Sequence, residues 1–249
     1  MGAKNLLITG GSRGIGAATA RRAAEAGWNV AINCRRDLGA AESVAEAVRA
    51  AGRRAVVVPA DIGRESELMA MFAHVDAELG PLHGLVSNAG VVDVAARVEA
   101  MGAERLARMW AINLSGSVLC AREAIRRMST ARGGTGGAIV NLSSAAARVG
   151  SPGLYLDYSM SKAAIDHFTT GLAREVAAEG IRVNAVRPGI IDTEIHAGSG
   201  HAERVAASLH LIPMARLGTA DEVARAVVWL LSDEAAYVSG ALLDVAGGR

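Results

Sequence analysis

Short apolar runs alternate with stretches rich in Ala, Arg and Glu from one end of the chain to the other. The runs at 5–9, 29–33, 55–59, 84–87, 138–142, 182–186 and 241–244 read as strands. The stretches at 14–26, 40–51, 65–79, 103–113, 116–128, 158–178 and 221–231 read as helices. A strand followed by a helix, repeated, gives right-handed βαβ units and a parallel sheet. The predicted fold class is α/β: a single doubly wound parallel sheet, Rossmann-like, with helices on both faces, residues 1–249 forming one domain. Gly27, Gly52 and Gly180 fall just past helix ends, where positive φ is free of a Cβ clash. Asp221 is positioned to cap the last helix with its carboxylate. The segment 130–137 reads as a surface connection. Residues 189–213 interrupt the rhythm directly after a strand, which makes them a candidate substrate lid.

Composition agrees with buried parallel strands under small-residue helices: 51% of the 249 residues are hydrophobic but only 3% are aromatic. The net charge of +1 offers no clustered basic face for nucleic acid and no polybasic anchor for a membrane. No apolar run approaches membrane-spanning length, and the N-terminal run Leu6-Leu7-Ile8 is too short for a signal-peptide core, so a cytoplasmic location is expected. Cys34 and Cys120 belong to no CxxC motif and read as reduced, mostly buried thiols. The six histidines show no metal-ligand spacing, so no metal is expected; His196, His201 and His210 fall in the candidate lid and read as solvated. Trp110 and Trp229 read as packing or subunit contacts.

The first strand runs into Thr9-Gly10-Gly11-Ser12-Arg13-Gly14-Ile15-Gly16 and then a helix. A glycine-rich turn of this kind lets the backbone approach a pyrophosphate, whose charge meets the free N–H groups of the helix N-terminus. The spacing of Gly10, Gly14 and Gly16 is GxxxGxG, not the commoner GxGxxG. The second strand ends in Asn33-Cys34-Arg35-Arg36-Asp37. An NAD site usually offers an acid here; these residues are basic, and Arg35 with Arg13 can clamp a 2′-phosphate. Arg36 shares that role or faces water, and Asp37 is a surface or cap residue. The expected cofactor is therefore NADP, with NAD less favoured.

Tyr158 and Lys162 stand four apart on a predicted helix, hence on one face. An ammonium beside a phenol favours the phenolate, and a phenol so tuned can exchange protons with a substrate oxygen. Tyr155 has Ser159 at the equivalent position and lacks that partner. Taken together, the turn from Thr9 to Gly16, Asp61-Ile62, Asn88-Ala89-Gly90, Asn113, Ser143-Ser144, Tyr158–Lys162, Pro188-Gly189 and the closing stretch 240–248 resemble the short-chain dehydrogenase/reductase family along essentially the whole chain.

That resemblance implies an oxidoreductase moving a hydride between nicotinamide and a carbonyl or secondary alcohol carbon. It makes Tyr158 the general acid/base. Lys162 binds the nicotinamide ribose and lowers the Tyr158 pKa, and Ser144 hydrogen-bonds the substrate oxygen. Asn113 kinks the long helix and holds a proton-relaying water. Asp61 and Ile62 hold the adenine, and Asn88, Ala89 and Gly90 line the adenosine ribose. Pro188, Gly189, Ile191 and Thr193 border the nicotinamide, and Tyr155 is a pocket wall. Each residue also has a plain structural role open to it: Asn113 as a helix cap, Asn88 as a turn, the serines as backbone partners, Asp61 as a loop acid. Sugar or polyol dehydrogenase and 3-oxoacyl thioester reductase are the competing activities. The Arg122, Arg126, Arg127 and Arg132 cluster is either a carrier-protein patch or a solvated helix face. A dinucleotide sensor without catalysis is the remote reading. Family analogy implies a homotetramer or homodimer.

Overall fold

The structure is a computed structural model and describes residues 3–193 and 209–249. The expected apolar runs form strands β1 (Asn5–Ile8), β2 (Asn29–Cys34), β3 (Ala55–Pro59), β4 (Gly84–Ser87), β5 (Gly137–Leu142) and β6 (Ile181–Pro188). They are followed by the short β7 (Ile191–Asp192) and β8 (Gly218–Thr219), and by β9 (Leu242–Val245). Seven strands form one sheet in the order β3-β2-β1-β4-β5-β6-β9, and every neighbouring pair is parallel. The chain winds outward from β1 to β3, returns to β4 beside β1, and winds the other way. The reversal opens a crevice beyond the carboxyl ends of β1 and β4.

Helices α1 (Gly14–Glu25), α2 (Leu38–Ala50), α3 (Glu65–Leu79), α4 (Ala103–Trp110), α5 (Ser117–Met128), α6 (Ala146–Val149), α7 (Leu156–Val176) and α8 (Ala220–Leu231) surround the sheet. Alternate strand residues feed two cores, because successive side chains point to opposite faces. Leu6, Ile8, Val30, Ile32 and Val140 pack with alanines of α1 and α2 and with Val223 and Val227 of α8. Leu7, Ala31, Leu85, Ile139 and Val183 pack with Phe72 and Val75 of α3, Ala121 of α5 and Val176 of α7. Both cysteines are buried free thiols, and burial pushes Cys120 up to about 12. Among the described residues no helix is long and apolar enough to cross a membrane.

One local expectation is corrected. Asp221 does not cap α8: the Thr219 hydroxyl accepts from Glu222 N, and the Glu222 carboxylate accepts from Thr219 N at 2.8 Å, a complete capping box. The Asp221 carboxylate instead takes Nε and Nη2 of Arg22 from α1. The 130–137 connection lies at the surface as expected, with residues 130–133 and 135 exposed, and its glycines are bonded in place. Gly134 N, Gly136 N and Gly137 N donate to the carbonyls of Ser129, Met128 and Gly180. The pairing of β7 with β8, and the single turn α6, had no periodic signal to announce them.

Candidate active site

The crevice is a cleft of about 590 Å³, a size typical of ligand sites. Gly10, Ser12, Arg13, Gly14 and Ile15 line it from the turn after β1, and Arg35, Asp61 and Ile62 from the ends of β2 and β3. Asn88, Ala89 and Gly90 enter after β4, and Ser143 and Ser144 after β5. Tyr155, Tyr158 and Lys162 come from the start of α7, and Pro188, Gly189, Ile191 and Thr193 from the end of β6 and beyond. Residues distant in sequence thus converge because parallel strands all end on the same side of the sheet.

At the turn, Gly10 and Gly14 have φ of +61° and +53°. A Cβ on Gly10 would lie 2.9 Å from the Ala89 Cα, so glycine is required both by conformation and by close approach. The turn is fixed by two asparagines. Gly10 N donates to Asn33 Oδ1 at 3.2 Å, and Asn88 Nδ2 donates to the carbonyls of Thr9 and Gly10, both at 2.9 Å. Asn33 carried no motif and was missed in the sequence; its Nδ2 also holds the carbonyls of Val58 and Ala60.

Four expected site residues do not line the cleft. Thr9 is fully buried behind it, its hydroxyl accepting from Asn88 N and Ala89 N at 3.0 Å. Gly16 serves packing: a Cβ there would lie 2.3 Å from the Gly10 carbonyl. Arg36 is exposed. Asn113 is buried in a wide π-type turn, Ala111–Gly116, that joins α4 to α5. The residues around it stay helical, so Asn113 is not an N-cap. Its side chain accepts from Val91 N at 2.8 Å and donates to Val91 O at 2.9 Å and Ser161 Oγ at 3.2 Å. Arg35 faces Asp61 across 3.7 Å, which tempers the cation.

Of the adjacent serines, Ser143 donates to the Lys162 carbonyl at 3.1 Å, while Ser144 hydrogen-bonds the Tyr158 hydroxyl and accepts from Ala146 N. Lys162 is buried, and its Nζ donates to the Leu142 carbonyl at 2.7 Å. The ammonium lies 5.7 Å from the Tyr158 ring centroid. Burial pulls Lys162 down to about 8, against the attraction of Asp166. Burial also pushes the Tyr158 phenol above its ordinary value, with the Ser144 hydrogen bond acting the other way. The expectation of a phenol lowered by Lys162 is therefore corrected here: the ammonium is engaged at the end of β5, and desolvation sets the sign.

The cleft is also lined by the apolar Val91, Val92, Val149, Leu154 and Ile190 and by Ser151 and Arg249. The argininyl cluster on α5 is occupied by acids. Arg122 pairs with Glu65, Arg127 with Asp76, and all three of Arg122, Arg126 and Arg127 with Glu123. Of the candidate lid, His196 and His201 lie outside the described residues, and His210 is exposed. Among the described residues no three His, Cys, Asp or Glu side chains converge in a way that could hold a metal ion.

A family model described as enoyl-(acyl carrier protein) reductase matches residues 10–249. The chain is 53% identical over 243 residues to the uncharacterized oxidoreductase YgfF of Escherichia coli (strain K12), covering 98% of each chain. It is 41% identical to the cis-4-hydroxycyclohexanecarboxylate dehydrogenase of Sinomonas cyclohexanicum, over 97% of this chain and 94% of that one. A short-chain dehydrogenase from Burkholderia cenocepacia J2315, solved in complex with NADP, superposes with a TM-score of 0.90 at 32% identity, over 99% of this chain and 98% of that one. The glycine turn, the strand order and the Ser144–Tyr158–Lys162 cleft thus sit in a chain that belongs to the short-chain dehydrogenase/reductase family of oxidoreductases.

Proposed function

We propose that the chain is an NADP(H)-dependent oxidoreductase acting on ketones and secondary alcohols with an apolar body. The observation that carries this reading is the meeting of Ser144, Tyr158 and Lys162 in the same cleft as the glycine turn. The residues fit a dinucleotide, because the turn has no side chain where Gly10 and Gly14 face the cleft and opens onto the N-terminus of α1. Ser12, Arg13, Gly14 and Ile15 would hold the pyrophosphate. Arg35 with Arg13 would take a 2′-phosphate, Asp61 and Ile62 the adenine, and Asn88 to Gly90 the ribose. Pro188, Gly189, Ile191 and Thr193 would border the nicotinamide. The bound nicotinamide supplies or accepts the hydride.

In reduction, the hydroxyls of Ser144 and Tyr158 donate to the carbonyl oxygen as negative charge grows there, and Tyr158 gives up its proton. Preorganised donors of this kind contribute roughly 3–4 kcal/mol each. A phenol raised by burial keeps its proton at neutral pH, which suits a donor. Lys162, one helical turn on and lining the same cleft, would bind the nicotinamide ribose hydroxyls. The Val91, Val92, Val149, Leu154 and Ile190 wall favours an apolar substrate, since a polyol would leave hydroxyls unpaired against it. Neutralised arginines on α5 give an acidic carrier protein little to grip. Assembly as a homodimer or homotetramer belongs to the same reading; Trp110 on α4 and Met160 on α7 are 39% and 53% exposed.

The test follows oxidation of NADPH and NADH with a panel of apolar ketones, sugars and acetoacetyl thioesters, for the wild type and for Arg35→Asp. Apolar ketones with NADPH should give the highest kcat/KM, and Arg35→Asp should move the ratio toward NADH. An unchanged coenzyme ratio refutes the role of Arg35. NADPH binding without turnover across the panel points to a sensor instead.

A further inference from the structure

Arg105 on α4 reaches two other parts of the site. Its Nε donates to Asp157 Oδ2 at 2.7 Å and its Nη2 to Asp157 Oδ1 at 3.1 Å. Its Nη1 donates to the Val94 carbonyl at 2.8 Å. The Asp157 side chain is fully buried and that of Arg105 is 12% exposed. A fork of parallel bonds onto a carboxylate fixes orientation as well as distance, which a lysine cannot do.

Both ends of this clamp matter to the cleft. Asp157 directly precedes Tyr158 in the first turn of α7. Val94 belongs to the stretch 91–96, which begins at the cleft-lining Val91 and Val92. That stretch is tied at Val91 by Asn113, at Asp93 by Arg108 and at Ala96 through the Leu154 carbonyl. Arg105 bonds both this stretch and the residue before Tyr158, as Asn113 bonds Val91 and Ser161 from the other side.

We propose that Arg105 is a positioning residue that sets the spacing between the Tyr158 hydroxyl and the Val91–Val92 wall, and thereby decides which ketones can place their oxygen on Tyr158. The inference rests on the proposed role of Tyr158 as proton donor. Arg105→Lys keeps the charge but loses the fork. NADPH oxidation is followed with a bulky ketone, tetralone, and a compact one, diacetyl, alongside NADPH affinity and thermal unfolding. For tetralone, kcat/KM should fall by about 100-fold, the scale of a small misplacement of reacting groups. Diacetyl should lose far less, and NADPH affinity should hold, because the glycine turn is untouched. The double variant R105Q/D157N, which buries no charge, should fold and show the same loss of discrimination even where Arg105→Lys does not fold. An equal fall for both ketones, or an unchanged ratio in the double variant, overturns the proposal alone. A wild type that reduces neither ketone overturns the parent reading, and this one with it.

Discussion

Lys162 is buried with its ammonium on a single carbonyl, and the cost of that burial has a measurable signature. Its ordinary value of 10.5 falls to about 8 in the fold. Below pH 8 both folded and unfolded chains carry the proton, and the desolvation penalty is fully present. Between about 8 and 10.5 the unfolded chain keeps a proton that the folded chain has lost, so this residue's contribution to stability rises with pH across that window. Lys162→Met, in the cofactor-free protein, should therefore be more stable than wild type at pH 7, by up to roughly 3 kcal/mol. Denaturant unfolding at pH 7 and pH 10 checks this: the gap should shrink at the higher pH. A gap of constant size would mean that Lys162 carries no penalty. The pairing of Tyr158 with Lys162 was legible, because four residues apart on a helix means one face. The direction of the phenol's shift was not, because it depends on how deeply the fold buries the hydroxyl.

At the scale of elements, the glycine turn and α1 act as one unit. Helix propensity alone makes Gly→Ala stabilising by about 1 kcal/mol. At Gly16 the sign should reverse, because a Cβ would lie 2.3 Å from the Gly10 carbonyl and push apart the turn that faces the cleft. Gly39, in the first turn of α2, has nothing within 4 Å of the same position. Gly16→Ala should lower both stability and NADPH affinity, whereas Gly39→Ala should leave affinity alone and gain up to about 1 kcal/mol. Equal effects of the two substitutions on NADPH affinity would contradict the packing role of Gly16. Strands and helices of this unit were readable from the sequence because apolar runs and Ala-rich stretches recur with the periods each element requires. The π-type turn at Asn113, the two-residue pairing of β7 with β8 and the choice of Thr219 over Asp221 as cap were not. Each involves residues distant in the chain: Asn113 bonds Val91, Ile191 pairs with Gly218, and Arg22 takes the Asp221 carboxylate.

Across the whole molecule, the reversal of strand order between β1 and β4 makes the cleft, and the chain returns to it after β1, β2, β3, β4, β5 and β6. The sequence motifs mark these returns in order, which is why most of the cleft could be named in advance. The buried link from Arg105 to Asp157 spans 52 positions and belongs to no motif, so only the fold exposes it. Tyr158, which lines this cleft, is the proposed proton donor. Tyr158→Phe removes one hydroxyl from the cleft and leaves the glycine turn intact. The direct measurement is kcat for reduction of the best ketone, taken together with the NADPH dissociation constant of the same folded variant. The account predicts a fall in kcat of at least about 100-fold with NADPH binding nearly unchanged; a Tyr158→Phe protein that keeps wild-type kcat would contradict it.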